Sequence, residues 1–162
     1  MHLFVKSCIR LLNKYPDYTA LVVGAVFSGE QEFVEQLKQQ IKEAGLNDRI
    51  IFTGEQEFSD IPKIFSSLSL VAALSDNEGF GLTVLEAMSS EAAVLATQAG
   101  AWEEIIRPGV DGYVVPVKDI DQVISHIMLQ VQDGWCPRAL IFIVATRHLR
   151  EACVLFSPCK HC

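Results

Sequence analysis

The chain has 162 residues, half of them hydrophobic and 20% charged, with a net charge of -7. That length and balance suit one soluble α/β-sized domain with a single core, and the acidic surplus argues against a broad nucleic-acid surface, which needs clustered Lys and Arg. No apolar run approaches the roughly 20 residues needed to span a bilayer, and the N-terminus has no secretory apolar segment, so the expected compartment is the cytoplasm.

Apolar residues Leu3, Phe4, Ile9, Leu11 and Leu12 recur at helical spacing between Met1 and Lys14, and Pro16 ends that segment. Thr19 to Gly24 is a buried-strand run stopped by glycine. Glu30 to Ala44 is an amphipathic helix closed by Gly45, with Ser28 as its candidate cap. Gly24 and Gly29 flank A-V-F-S, but no P-loop Lys follows and no G-x-G-x-x-G is present, so both read as turn glycines and a dinucleotide oxidoreductase is excluded.

Arg49 to Thr53 is the next strand. Ser59 to Ser67 follows as a short helix, capped by Ser59 with Pro62 in its first turn, and Ile61, Ile64, Phe65 and Leu68 form the face turned to the sheet. The apolar run Leu68 to Leu74 is a third strand and Leu82 to Ser89 a helix. Then come a strand at Ala92 to Thr97, a turn and short helix at Gly100 to Ile106, a strand at Gly112 to Val115, and a helix from a cap at Asp119 to Val131. Strands alternating with helices predict an α/β, Rossmann-like parallel sheet with helices on both faces. Ligands in such sheets bind beyond the strand carboxyl ends, where Gly24, Gly54, Asn77 and Gln98 would cluster.

The chemistry-bearing stretch is Asn77 to Glu86, N-E-G-F-G-L-T-V-L-E, between the third strand and its helix. A glycine-punctuated turn that opens a helix leaves backbone N–H groups unpaired at a dipole end that favours anions. Glycines at 79 and 81 let a ligand approach closely. Glu78 and Glu86 are eight positions apart, about 12 Å along the axis if the interval is helical. Carboxylates accept hydrogen bonds, so they suit hydroxyls and not phosphate. A ligand with a diphosphate in the middle and hydroxyls at both ends, such as a nucleotide-sugar, fits. Taken singly, Glu78 reads better as a helix cap and Glu86 as a solvated helix-face residue; it is the pair about the turn that points to a ligand.

The stretch E-G-F-G-L-T-V-L-E-A-M resembles the E-x7-E signature of retaining GT-B glycosyltransferases of family 4, the group that includes lipopolysaccharide and capsule sugar transferases. The resemblance continues through I-I-F-T-G at Ile50 to Gly54, V-L-A-T at Val94 to Thr97, G-A-W-E-E-I-I at Gly100 to Ile106 and P-G-V-D-G-Y-V-V-P at Pro108 to Pro116. It implies the C-terminal, donor-binding half of a GT-B fold over residues 1–133. By that resemblance Glu86 would bind the ribose hydroxyls, and Glu78, the candidate catalytic residue, would contact the donor sugar. Backbone N–H groups of Gly79, Phe80, Gly81, Leu82 and Thr83 would hold the diphosphate. No metal and no cofactor are implied; the nucleotide-sugar is a substrate. The partners implied are that donor and a glycan or lipid-linked acceptor held by an N-terminal domain, with no nucleic acid and at most peripheral contact with the inner face of the membrane.

Three departures qualify the resemblance. The family's first strand, its Gly-rich turn and a basic diphosphate ligand have no counterpart here, nor does the acceptor domain, so a domain truncated at its N-terminus and inactive alone is expected. Where the family carries A-x-G-x-P-V, this chain reads S-S-E-A-A-V, with Glu91 and Ala93 in place of glycine and proline. Residues 134–162 form an atypical Cys-rich tail carrying four of the five cysteines. His148, Cys153, Cys159, His161 and Cys162 make a poor zinc signature, and an odd cysteine count does not make a disulfide framework. The tail reads as a frame-shifted or recombined end. The leading expectation is a donor-binding glycosyltransferase domain; the alternative is a non-catalytic sugar-nucleotide-binding or interaction module.

Overall fold

The computed structural model describes residues 2–24, 29–75, 82–117, 119–132 and 154–156. Helix α1 (His2–Lys14) leads to β1 (Thr19–Val23), α2 (Gln31–Glu43), β2 (Ile50–Gly54), α3 (Ile61–Ser66) and β3 (Leu70–Ala73). Then follow α4 (Leu82–Ser89), β4 (Ala93–Thr97), α5 (Trp102–Ile105), β5 (Gly112–Val115), α6 (Ile120–Gln132) and β6 (Val154–Phe156). The expected α/β sheet is present, in the order β2-β1-β6-β3-β4-β5. The pairs β1/β2, β3/β4 and β4/β5 are parallel. Helices α1, α2 and α6 pack together, and α3 packs against α4, as crossovers of one hand require when helices cover both faces.

Burial explains why these segments fold as they do. In α1, Phe4, Val5, Cys8, Leu11 and Leu12 are buried, a stripe at helical spacing. Val34, Leu37 and Ile41 form the matching stripe of α2. All four residues of β3 and the last four of β4 are buried, as befits strands covered on both faces. Ile61 and Ile64 pack against the core beside buried Phe65 and Leu68, so the expected apolar face of α3 is present.

Arg49 acts as a bracket that sequence alone did not single out. Its guanidinium donates to the carbonyls of Leu12 (2.9 Å), Tyr15 (2.7 Å) and Tyr18 (2.7 Å). It satisfies the carboxyl end of α1 and the turn into β1, and partial burial lowers its proton affinity although Asp17 opposes this. At the other end of the sheet from the strand exits, the P-G-V-D-G stretch is a closed turn. Arg107 and Asp111 pair through Nε to Oδ2 (2.7 Å) and Nη2 to Oδ1 (2.6 Å), and any Cβ on Gly112 would collide with the Val94 carbonyl.

Two capping expectations are corrected. The N-cap of α3 is Asp60 rather than Ser59, and that of α2 is Glu30; neither makes a side-chain cap bond. Ser28 lies outside the described residues. Asp60 instead pairs with Lys63 at 2.7 Å, and the Gln31 side chain accepts from the Gly29 N–H at 2.8 Å. Asp119 does cap α6, accepting from the Gln122 N–H at 2.9 Å. The tail contributes one element that sequence did not anticipate: Val154–Phe156 is a strand within the sheet.

The substituted turn after α4 has a definite geometry. Glu91 N–H bonds to Met88 O (3.0 Å) and Ala92 N–H to Ala87 O (3.1 Å), the paired bonds of a Schellman motif. Helix α2 ends in the same way, with Gly45 N–H to Lys42 O and Leu46 N–H to Ile41 O, both 3.0 Å. Gly45 has φ +70° and Glu91 has φ +62°. The left-handed conformation costs an L-residue about 1–2 kcal/mol, of which glycine's entropy loss would return roughly 0.5–1 kcal/mol. Glu91→Gly is therefore expected to raise the thermal midpoint by about 2–4 °C without altering the sheet, measured by calorimetry; a lower midpoint would show that the Glu91 side chain contributes more than its backbone costs.

Candidate functional site

The ends of the parallel strands are tied together along one edge. The Gly24 N–H donates to Gly54 O at 3.0 Å, joining the exits of β1 and β2. The buried Thr97 hydroxyl at the end of β4 donates to the carbonyls of Ala73 (3.3 Å) and Ser75. This fixes the chain as it leaves β3. The Gln98 N–H bonds to Val115 O at 2.8 Å, joining β4 to β5, and the Gln98 amide reaches Glu103 at 3.1 Å. Gly24, Gly54 and Gln98 thus lie along the carboxyl edge where a ligand was expected. Asn77, Glu78, Gly79, Phe80 and Gly81 lie outside the described residues.

The described part of the signature is α4 itself. Leu82 opens the helix and is 62% exposed, Thr83 is half-buried, and Glu86 follows one turn later, also half-buried. Residues four apart on a helix share a face, so Leu82 and Glu86 look the same way. They face a cavity of about 370 Å3 whose walls include Phe58, Ile61, Phe65, Leu82 and Leu85. Ser89 and Ser90 close its far end, and the Ser90 hydroxyl caps the Glu86 carbonyl at 2.9 Å. Burial in these apolar surroundings pushes the Glu86 carboxyl above its ordinary value.

Sequence reasoning found Glu86 but missed its companions. Ile61 and Phe65 were read only as the sheet-facing side of α3, whereas both also wall the cavity. Phe58 is 83% exposed; a lone aromatic in the polar stretch E-Q-E-F-S-D was the available signal. A large exposed ring beside a concave apolar surface is a feature of ligand pockets. Among the described residues no group of three or more His, Cys, Asp or Glu could hold a metal ion. His148, Cys153, Cys159, His161 and Cys162 lie outside the described residues. No helix among those described is long and apolar enough to cross a membrane.

Residues 1–146 match the family described as glycosyl transferases group 1. The lipopolysaccharide core biosynthesis mannosyltransferase LpcC of Rhizobium leguminosarum bv. viciae is 43% identical over 131 residues, covering 81% of this chain and 37% of the relative. LpsB of Rhizobium meliloti (strain 1021), another mannosyltransferase of lipopolysaccharide core biosynthesis, is 39% identical, covering 76% and 35%. The chain thus spans little more than a third of the length of these relatives. Among solved structures, the C-terminal domain of the group 1 protein LpcC from Francisella tularensis superposes with a TM-score of 0.77 at 38% identity, covering 84% of this chain and 71% of that one. Alr3699/HepE from Anabaena, solved in complex with UDP and glucose, superposes with a TM-score of 0.75 at 30% identity, covering 85% and 37%. A Rossmann-like α/β unit with the fold of that C-terminal domain, this chain belongs to the glycosyl transferase group 1 family.

Proposed function

We propose that the domain binds the nucleoside end of a nucleotide-diphosphate sugar and serves a retaining family 4 glycosyltransferase reaction when an N-terminal domain supplies the acceptor. The observation that carries this reading is the half-buried Glu86 on the wall of an apolar cavity lined by residues of α3 and α4. A flat base can lie against Phe58, Ile61 and Leu82 while the carboxylate accepts from ribose hydroxyls. The UDP complex of the Anabaena relative supports the same ligand class.

Glu78 would then contact the donor sugar, and the N–H groups of Gly79 to Thr83 the diphosphate. Charge builds on the leaving diphosphate as the glycosidic bond breaks, and oriented N–H dipoles at the start of α4 stabilise it where it develops. The acceptor in this reading is a glycan or lipid-linked glycan reached from the cytoplasm or the inner face of the membrane. The second reading, a non-catalytic sugar-nucleotide-binding module, shares the donor site and differs only in the absence of transfer.

Three outcomes test this. Titration calorimetry with uridine, guanosine and adenosine diphosphates should show weak binding of at least one, and Glu86→Ala should weaken it by about 1.5–3 kcal/mol through loss of charged hydrogen bonds. Absence of heat from all three at millimolar concentration would remove the donor site. Incubated with nucleotide-sugars and glycan acceptors, the chain alone should transfer nothing, and a matching acceptor domain should be needed for product; turnover without it would overturn the division of labour.

The third outcome concerns pH. Since burial raises the Glu86 carboxyl, the folded state binds its proton more tightly than the unfolded chain does. That contribution is full below the unfolded value and is lost as pH rises through the folded one. Glu86→Gln should therefore melt above wild type at pH 7, converge with it near pH 4, and still bind nucleotide less well. Equal midpoints across that range would show that the carboxylate is not desolvated.

A further inference from the structure

Phe58 stands on the loop between β2 and α3 with 83% of its surface exposed, so at least one face of its ring is open. Core packing does not account for it, since a side chain left in water contributes no burial. It nevertheless lines the cavity that holds Glu86. That lining is divided by chemistry. Every residue that the loop and α3 contribute is apolar: Phe58, Ile61, Pro62 and Phe65. The polar side chains, Glu86, Ser89 and Ser90, all come from α4 and the residue after it, and the Ser90 hydroxyl is already donated to the Glu86 carbonyl.

Charge orients a ligand across this division. The segment that carries Phe58 also carries Glu55, Glu57 and Asp60, and the neighbouring cation, Lys63, is paired with Asp60 at 2.7 Å. A diphosphate would meet like charge there, whereas the start of α4 presents the positive end of a helix dipole. Of the two ends of a nucleoside diphosphate, the uncharged base is the one that can lie against Phe58 while the ribose reaches Glu86.

Resting on the donor reading above, we propose that Phe58 selects the nucleobase by stacking on its face, and that the site prefers purines to pyrimidines. Among the described lining residues, the loop and α3 offer the edge of a base no side-chain donor or acceptor. Selection on that wall is therefore by area. Stacking on an aromatic ring accepts any base, and the gain grows with the apolar surface removed from water, which is larger for two fused rings than for one. Glu86 meets the ribose that all these nucleotides share and does not discriminate among them.

The test is titration calorimetry of the full 162-residue chain with adenosine, guanosine, cytidine and uridine diphosphates, and with ribose 5-diphosphate, which has no base. Both purine nucleotides should bind roughly fivefold more tightly than both pyrimidine nucleotides. Phe58→Ala should weaken the purine nucleotides by about tenfold and leave ribose 5-diphosphate unchanged, a split that a merely structural role would not produce. Phe58→Trp, with its larger face, should keep or strengthen the purine preference, and Glu86→Ala should weaken all five ligands alike. A pyrimidine nucleotide bound most tightly, a Phe58→Ala variant that binds purine nucleotides as wild type does, or an equal loss for ribose 5-diphosphate would each overturn the selection by Phe58 and leave the donor site standing. Silence of the wild-type chain toward all five ligands at millimolar concentration would instead remove the donor site, and this inference with it.

Discussion

Burial of β3 on both faces is the constraint on which the rest of the molecule depends. Leu70, Val71, Ala72 and Ala73 are fully enclosed, so their backbone groups must be paired within the sheet and their side chains covered by helices on each side. That forces the neighbours to be strands and the connections to be crossover helices. The chain must consequently leave β3 at the edge where every other parallel strand ends. Thr97 fixes that exit by donating to the carbonyls of Ala73 and Ser75. In α4, Leu82 and Glu86 line a cavity together with Ile61 and Phe65 of α3.

Two ends of the sheet do different work, and the family motifs divide between them. V-L-A-T is strand β4 itself, and G-A-W-E-E-I-I begins beyond its carboxyl end, where buried Trp102 anchors α5. P-G-V-D-G lies at the opposite end, where Arg107, Asp111 and Gly112 close a turn against β4. That motif bears on folding rather than on a ligand. The Arg107 side chain lowers the proton affinity of Asp111 and Asp111 raises that of Arg107, through their hydrogen bonds; Arg107 is exposed, whereas the Asp111 side chain is largely covered, and the bidentate pairing pins the turn.

Element type and order were legible because buried parallel strands are unbroken apolar runs and because glycines mark their ends. Leu82–Ser89 and Gly112–Val115 coincide with their expected bounds. Caps were less legible: Ser59 and Asp60 are both good cap residues, and only the path of the chain decides between neighbours. β6 could not be read, since a three-residue strand carries no period and its place depends on a gap made by residues far away in sequence. The cavity was half legible. Glu86 stood out through its spacing from Glu78, but the walls come from α3, whose Ile61 and Phe65 give the same apolar pattern whether they face the sheet, a cavity or both.

Glu86 and Glu91 together show how the domain distributes its costs. Glu91 holds a left-handed backbone that Gly45 holds freely in the equivalent turn of α2, and nothing in the described structure ties that side chain to the cavity. Its strain is a local cost of the turn. Glu86 is different, because its desolvation has a partner in the proposed chemistry. A carboxylate among apolar walls is poorly hydrated before a ligand arrives, so hydroxyls that reach it replace little bound water and are held more firmly than at a solvated surface. Exposed Phe58 and Leu82 carry the complementary cost of apolar surface left in water, which a base laid over them would remove. Both liabilities are relieved by one ligand with a flat apolar end and adjacent hydroxyls, which is the physical case for a nucleoside in this cavity.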